Sequence, residues 1–258
     1  MRFTWPQRGL WRQADFLKLW SAETVSHFGT QVSQLALPFI AIAILDASAF
    51  AVAALGTVEF LPFLLFTLPA GVWVDRLPRR AILIVADYGR AALLFTVPIA
   101  YAFDALTMAQ LYAVGFLIGT FTVFFDVSYQ SYLPSLVQRE QIVEGNSKLE
   151  VSRTTAQITG PGIAGALIGV ITAPYAVLVD AVSFVASGAF LTAIRKQERK
   201  PEPAGGERPR MRSELWEGLQ YVVHHPLLRP RRCAPAPRTS SRTSRTRSSS
   251  STPSGHSG

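Results

Sequence analysis

The residues able to do chemistry in this 258-residue chain stand in a few places, separated by long apolar runs. The densest group is Gly71-Val-Trp-Val-Asp75-Arg76-Leu-Pro-Arg79-Arg80. Arg binds carboxylates in a two-pronged fork, and an acidic group at a helix end offsets the partial charge of a neighbouring helix N-terminus. Asp75 and Arg76 between two apolar runs are therefore suited to a latch that forms and breaks. The plainer reading is that Arg76, Arg79 and Arg80 only set topology, which leaves Gly71 and Asp75 without a role. Glu59 lies deep in an apolar run, where an ionisable group costs about 2.5–3.5 kcal/mol on insertion scales. A carboxyl there can lose and regain a proton, which makes Glu59 the proton-coupling candidate. Asp87 and Arg90, three apart on one helix face, suit an intramembrane ion pair. Asp180 is expected near the outer end of its run, capping or hydrogen-bonding locally.

Other chemistries are poorly served. The single Cys233 excludes a disulfide framework, and four scattered His residues have no metal-ligand spacing, so neither a metal nor a cofactor is implied. His27 suits a hydrogen-bonded or pore-lining role, whereas His224 and His225 beside Pro226 read as solvated loop residues. There is no nucleophile elbow and no Gly-rich phosphate loop with Lys. Asp87-Tyr-Gly-Arg90-Ala lacks the further spaced aspartates that a two-metal phosphotransferase needs. The chain reads as a non-enzyme; a permease subunit driven by a separate ATPase is the remaining transport alternative.

The elements that must position these residues are membrane helices. Apolar blocks near 21–45, 50–73, 81–103, 106–128, 154–173 and 175–194 each reach about the 20 residues that a 30 Å hydrocarbon core demands. Backbone groups in lipid must be satisfied within the segment, and no alternating ten-residue pattern appears, so helices rather than strands follow. The fold class is all-α, with six transmembrane helices. The first block is long and lacks a small-residue cleavage site, so no cleavable signal peptide is expected.

Charge orients the bundle. The breaks near Asp46, Asp104 and Pro174 contain no Lys or Arg, whereas the other side carries Arg2, Arg8, Arg12 and Lys18, then Arg76, Arg79 and Arg80, then Arg139, Lys148 and Arg153, then Arg195, Lys196, Arg199 and Lys200. The positive-inside rule places both ends of the block in the cytoplasm of a multi-pass protein of the cell's inner or plasma membrane. A net charge of +8 and a pI near 10.1 then reflect a basic face on anionic lipid and do not imply nucleic acid.

With these elements in place, Gly71-x3-Asp75-Arg76-x2-Arg79-Arg80 resembles the loop 2-3 signature of the major facilitator superfamily. Pro78 stands where that pattern has Gly and stiffens the turn. Phe124-Phe-Asp126-Val-Ser-Tyr-Gln-Ser-Tyr-Leu-Pro134, Gly160-Pro161-Gly162-Ile-Ala-Gly165 and Asp180-Ala-Val-Ser-Phe184 extend the likeness over roughly residues 10–230. Together they resemble the drug- and siderophore-exporting branch that includes enterobactin exporters and macrolide efflux proteins. The resemblance implies the N-terminal half of a twelve-helix secondary transporter working by alternating access. It implies that Gly71, Asp75, Arg76, Arg79 and Arg80 gate conformation, with Asp126 at the cytoplasmic end of the fourth helix completing a charge relay. It also implies that Gly160, Pro161, Gly162 and Gly165 form the exporter-type motif of the fifth helix, whose bend seals the interface between halves. Plain helix packing explains the same small-residue stripe, continued by Gly169. Many proton-coupled exporters of this superfamily carry an Arg in the fourth helix; residues 106–125 have none, so coupling by that route is not expected. Gln31, Ser33 and Gln34 on the first helix either face a substrate cavity or bond neighbouring helices.

The implied partners are a small-molecule substrate, the lipid bilayer and a C-terminal half carried on another chain. Four segments are expected: a cytoplasmic N-terminal segment 1–20, the six-helix domain 21–194, a linker 195–230 and a tail 231–258. Within the linker Ser213 caps a short surface helix with Leu215, Trp216, Leu219, Val222 and Val223 at helical spacing. From Arg231 to Gly258 there is no Leu, Ile, Val, Phe, Tyr or Trp. A seventh apolar helix is due there, and the abrupt break is expected to mark a shifted reading frame or a truncation, with the tail disordered. A truncated, inactive remnant of a transporter is the alternative reading of the whole chain.

Overall fold

A computed structural model describes residues 9–196. Six long helices follow in order: α1 (Ala14–Ala43), α2 (Ala49–Val74), α3 (Arg79–Ala102), α4 (Met108–Leu136), α5 (Ile142–Ile171) and α6 (Ala173–Thr192). There is no strand among the described residues. The short surface helix expected at 213–228 and the tail 231–258 lie outside them.

Five helices, α2 to α6, are long and apolar enough to cross a membrane. The sixth expected span, α1, has the length at 30 residues but not the composition, because His27, Gln31 and Gln34 interrupt its apolar run.

The connections sort by end. At one end α1–α2, α3–α4 and α5–α6 turn through Asp46 (φ 47°), Asp104 (φ 51°) and Thr172 (φ 66°). Asp enters the left-handed region readily through local hydrogen bonding, whereas a β-branched Thr does so only under strain. Ser48 and Thr107 then cap α2 and α4, accepting from the N–H groups of Ala51 and Gln110, each at 3.3 Å. At the other, basic end residues 75–78 join α2 to α3 and a 3-10 turn at Arg139–Gln141 leads into α5.

Three helix boundaries differ clearly from the sequence expectation. α1 begins at Ala14 rather than 21, within the expected N-terminal segment, α4 continues to Leu136 rather than 128, and α5 begins at Ile142 rather than 154. The basic loop expected to hold Lys148 and Arg153 is therefore helix. An apolar run reports only lipid contact, and a helix propagates beyond it where pairs such as Glu144–Lys148, 3.3 Å apart at i,i+4, support it.

Packing runs α5–α1–α6–α3–α4–α2, each helix against the next. The tightest crossing is α1 on α6, where a methyl group at Gly29 would overlap Ser183 and Asp180. Small residues allow such approach when no water is available to drive association. Two apolar clusters fill the bundle. One surrounds Ile40, Leu94 and Val177, and the other, towards the basic end, surrounds Phe16, Leu83 and Leu133. α2 is largely exposed, with Phe50, Phe60, Leu64 and Leu68 facing outward.

Candidate functional site

A cavity of about 1070 Å³ opens among α1, α2, α4 and α5, with α3 and α6 closing its floor through Arg90, Asp180 and Phe184. Gln31, Ser33 and Gln34 of α1 all border it. Glu59 of α2 borders it as well, beside Gly115 and Gly119 of α4, where a methyl group would collide with the Glu59 side chain and carbonyl.

Asp87 and Arg90 form the expected pair, with Arg90 Nη2 donating to Asp87 Oδ1 at 2.5 Å, both residues buried. The guanidinium is sandwiched between the rings of Phe125 and Phe184, 4.4 and 4.1 Å from their centroids. Its Nη1 lies 3.5 Å from Thr122 Oγ1 on α4. The fourth helix has no Arg of its own in residues 106–125, yet an Arg from α3 reaches it.

Asp126 is not where the sequence placed it. It sits within α4, ten residues before the helix ends at Leu136 and so about 15 Å from that end. It faces the cavity with Glu23, His27 and Arg153, whose charges act on it together with Arg90. The correction follows from the extension of α4 beyond its apolar run. Asp180 lies about two turns inside α6, buried at 2% exposure against Gly29, and hydrogen-bonds locally, accepting from Ser183 Oγ at 3.1 Å. The break before α6 is the single residue Thr172, which moves the helix start outward.

The Gly71–Arg80 cluster works at the basic end. Asp75 ends α2 and lies 3.7 Å from Arg79 across the turn. Arg79 also reaches the Ser131 carbonyl of α4 at 3.4 Å. Arg80 donates to the carbonyls of Leu191 and Thr192 on α6 at 3.1 and 2.7 Å. The backbone N–H of Arg76 bonds the Trp73 carbonyl. A methyl group at Gly71 would meet nothing within 4 Å. The cluster therefore ties α3 to α4 and α6, and Asp126 belongs to the cavity instead.

The fifth-helix motif divides. A methyl group at Gly160 would collide with Gln31 of α1, whereas one at Gly162 or Gly169 would meet nothing within 4 Å and one at Gly165 would only reach Leu35 at 4.0 Å. α5 remains one helix through Pro161.

Three cavity residues had not been singled out as site candidates. Glu23 on α1 is 4% exposed, with Oε2 3.2 Å from His27 Nε2. The i,i+4 spacing of Glu23 and His27 was legible, but it falls where the apolar run begins. Glu150 and Arg153 border the cavity from α5; Arg153 had been read as part of a basic loop.

The sequence model of the family described as transmembrane secretion effector matches residues 9–229. Among curated proteins, the chain is 22% identical over 225 residues to an uncharacterized MFS-type transporter, YkuC, of Bacillus subtilis (85% of this chain, 52% of that protein). It is 26% identical over 227 residues to the multidrug efflux pump Tap of Mycolicibacterium fortuitum (84% and 54%), and 28% identical over 207 residues to Tap of Mycobacterium tuberculosis (78% and 49%). No solved structure matches significantly. The chain thus spans about half the length of the curated relatives it matches. A bundle of apolar helices with its ionisable residues turned into a cavity, the Gly71–Arg80 loop and a family match over most of the chain agree: the protein is a multi-pass membrane protein of the transmembrane secretion effector family of major facilitator superfamily transporters, corresponding to the N-terminal half of the longer members.

Proposed function

We propose that the chain is the N-terminal, six-span half of an alternating-access exporter in a cell's inner or plasma membrane, with both ends cytoplasmic. It builds one wall of a central site for small hydrophobic or siderophore-like compounds. The observation that carries this reading is the polar-lined cavity of about 1070 Å³ inside otherwise apolar helices. Ionisable residues within membrane helices are costly and mark transport pathways. The multidrug efflux pumps among the relatives favour export over uptake. Orientation rests on the Lys and Arg residues gathered at one end of the bundle.

In this reading the contacts of Asp75, Arg79 and Arg80 hold one state closed and break as the helix ends separate, while Glu59 in the cavity wall carries the coupling proton. Gly162, Gly165 and Gly169 face the C-terminal half, which is supplied by another chain. Residues 195–230 act as the linker between halves and 231–258 as a tail outside the transport domain.

Proteoliposomes holding the chain together with a second-half chain test this, with uptake driven by an imposed proton gradient. Gradient-dependent uptake that Glu59→Gln abolishes is expected; undiminished uptake in that variant removes Glu59 as the coupling residue. Because the matches cover about half of each relative, an inactive truncated remnant is the second reading. Absence of uptake even with a second-half chain selects it.

A further inference from the structure

We infer that Trp11 and Trp20 are positioning residues: with the segment Gly9–Gln13 they form a strap that holds the basic-end half of α5 against α1 and so fixes the cavity wall that carries Glu150 and Arg153. This goes beyond the transport reading and rests on side-chain contacts. α5 stands at the end of the packing order, with α1 as its main neighbour. The residues it buries, Gly145, Leu149, Ser152, Ala156, Gly160 and Ala164, recur every three or four positions, and only Leu149 among them is larger than serine. Such a stripe permits close approach but removes little apolar surface from its surroundings, so it fixes the tilt and rotation of the helix only weakly.

The strap supplies what the stripe lacks. Leu10 is fully buried, and a methyl group at Gly145 would stand 3.6 Å from it. The Trp11 ring lies 4.2 Å from Lys148 Nζ and meets Trp20 edge-on, with centroids 5.0 Å apart. Trp20 Nε1 donates to Ser152 Oγ at 2.9 Å, and Gln13 Nε2 donates to Gln141 Oε1 at 2.8 Å beside the start of α5. These grips follow one face of α5 from its first turn to Ser152. Lys148 and Glu150 are two residues apart, so they stand on nearly opposite sides of a helix that turns about 100° per residue. Holding the Lys148 side therefore sets how far Glu150 and Arg153 reach towards Asp126 and Tyr129 of α4, which border the same cavity. α4 itself makes little contact with α5, so the hold on that wall comes from the α1 side.

The test is amide hydrogen exchange on the full 258-residue chain in lipid nanodiscs. Trp11→Ala and Trp20→Phe together remove the ring over Lys148 and the bond to Ser152. They are expected to speed exchange at residues 145–153 about tenfold or more, with residues 82–90 of α3 changed by less than about twofold. Trp11→Tyr with Trp20 intact keeps a ring over the cation and should retain the native protection. Exchange at 145–153 within about twofold of native in the double variant overturns the assignment, as does an equal rise in α3, the mark of a general loss of stability. The native chain gives a check that needs no variant: amides 145–153 exchanging as fast as an unfolded segment also overturn it. The cavity wall is read separately by spin labels at Gln130→Cys and Ser147→Cys, positions that border the cavity from α4 and α5, in chains carrying Cys233→Ser. The distribution of distances between the labels is expected to broaden in the double variant, and an unchanged distribution removes the positioning role even if exchange rises. None of these outcomes involves a substrate, so the transport reading stands or falls by its own assay.

Discussion

Arg80 of α3 donates from Nε to the backbone oxygen of Leu191 at 3.1 Å, and from the same guanidinium to Thr192 at 2.7 Å. These carbonyls close α6, where a helix leaves its last acceptors without internal partners. Lys18 does the same for Ala193 at 2.6 Å, and Lys196 for Leu136 at the end of α4 at 3.0 Å. The basic end of the bundle is therefore built of cations on helix C-termini, which the helix macrodipole also favours. Charges that set topology are the same charges that fasten the helix ends.

Arg80→Ala is expected to lower stability by about 1–2 kcal/mol, the worth of charge-assisted hydrogen bonds at a partly exposed site. Arg80→Lys should lose less, since a cation remains but the fork is gone. Thermal unfolding in detergent measures both. An unchanged midpoint in Arg80→Ala would show that the cap contributes nothing.

The Asp87–Arg90 pair lies in the core, so removing one partner strands a charge. Arg90→Leu is expected to destabilise by about 3–5 kcal/mol, whereas replacing both residues by apolar ones of similar size should recover most of that loss. A double-mutant cycle followed by tryptophan fluorescence on unfolding separates the two outcomes; additive losses would mean the residues act independently.

Glycines on two helices make opposite predictions. Gly119→Ala places a methyl group against the Glu59 carbonyl and Pro62 and is expected to cost about 1–3 kcal/mol through overpacking. Gly162→Ala and Gly169→Ala meet nothing within 4 Å and should leave this chain's stability within about 0.5 kcal/mol. If the same two substitutions impair assembly with a second half, the open face of α5 is where that half sits.

Asp15 gives a pH signature at the basic end. Burial works against its charge, but Lys18 at 3.0 Å and the backbone N–H groups of Arg195 and Lys196, at 3.2 and 3.0 Å, outweigh it and hold the carboxyl below its ordinary value of 3.8. A lowered folded value means the stabilisation is fully present above the ordinary pKa and is lost as pH falls through the folded one. Unfolding midpoints of the native chain should therefore fall on acidification below pH 3.8, and more steeply than those of Asp15→Asn. Parallel profiles would remove Asp15 as a contributor.

Much of the fold was legible because lipid imposes a simple requirement. Long apolar runs can only be helices there, and the unbroken charge asymmetry of the connections marks the ends of the bundle. The runs located α2 and α3 closely, and the spacing of Asp87 and Arg90 announced their pairing. The same signal misjudged α4 and α5, because a helix that leaves the lipid keeps its hydrogen bonds while losing its apolar character. Asp126 and Arg153 were misplaced as a result, and Glu150 went unnoticed as a cavity residue.

By itself the sequence determined the class of machine: an all-helical membrane protein with a Gly71–Arg80 loop, Glu59 inside a span and an ion pair on the third helix. Those properties depend on hydropathy and on spacing along one helix, which are local. Only the tertiary structure decided which of the charged residues meet. Helix rotation and crossing bring Glu23, His27, Asp126 and Arg153 to one cavity, lay Arg90 between Phe125 and Phe184, and set Arg80 on the end of α6. Such contacts join residues far apart in the chain through close-packed faces, so no period or motif along it records them.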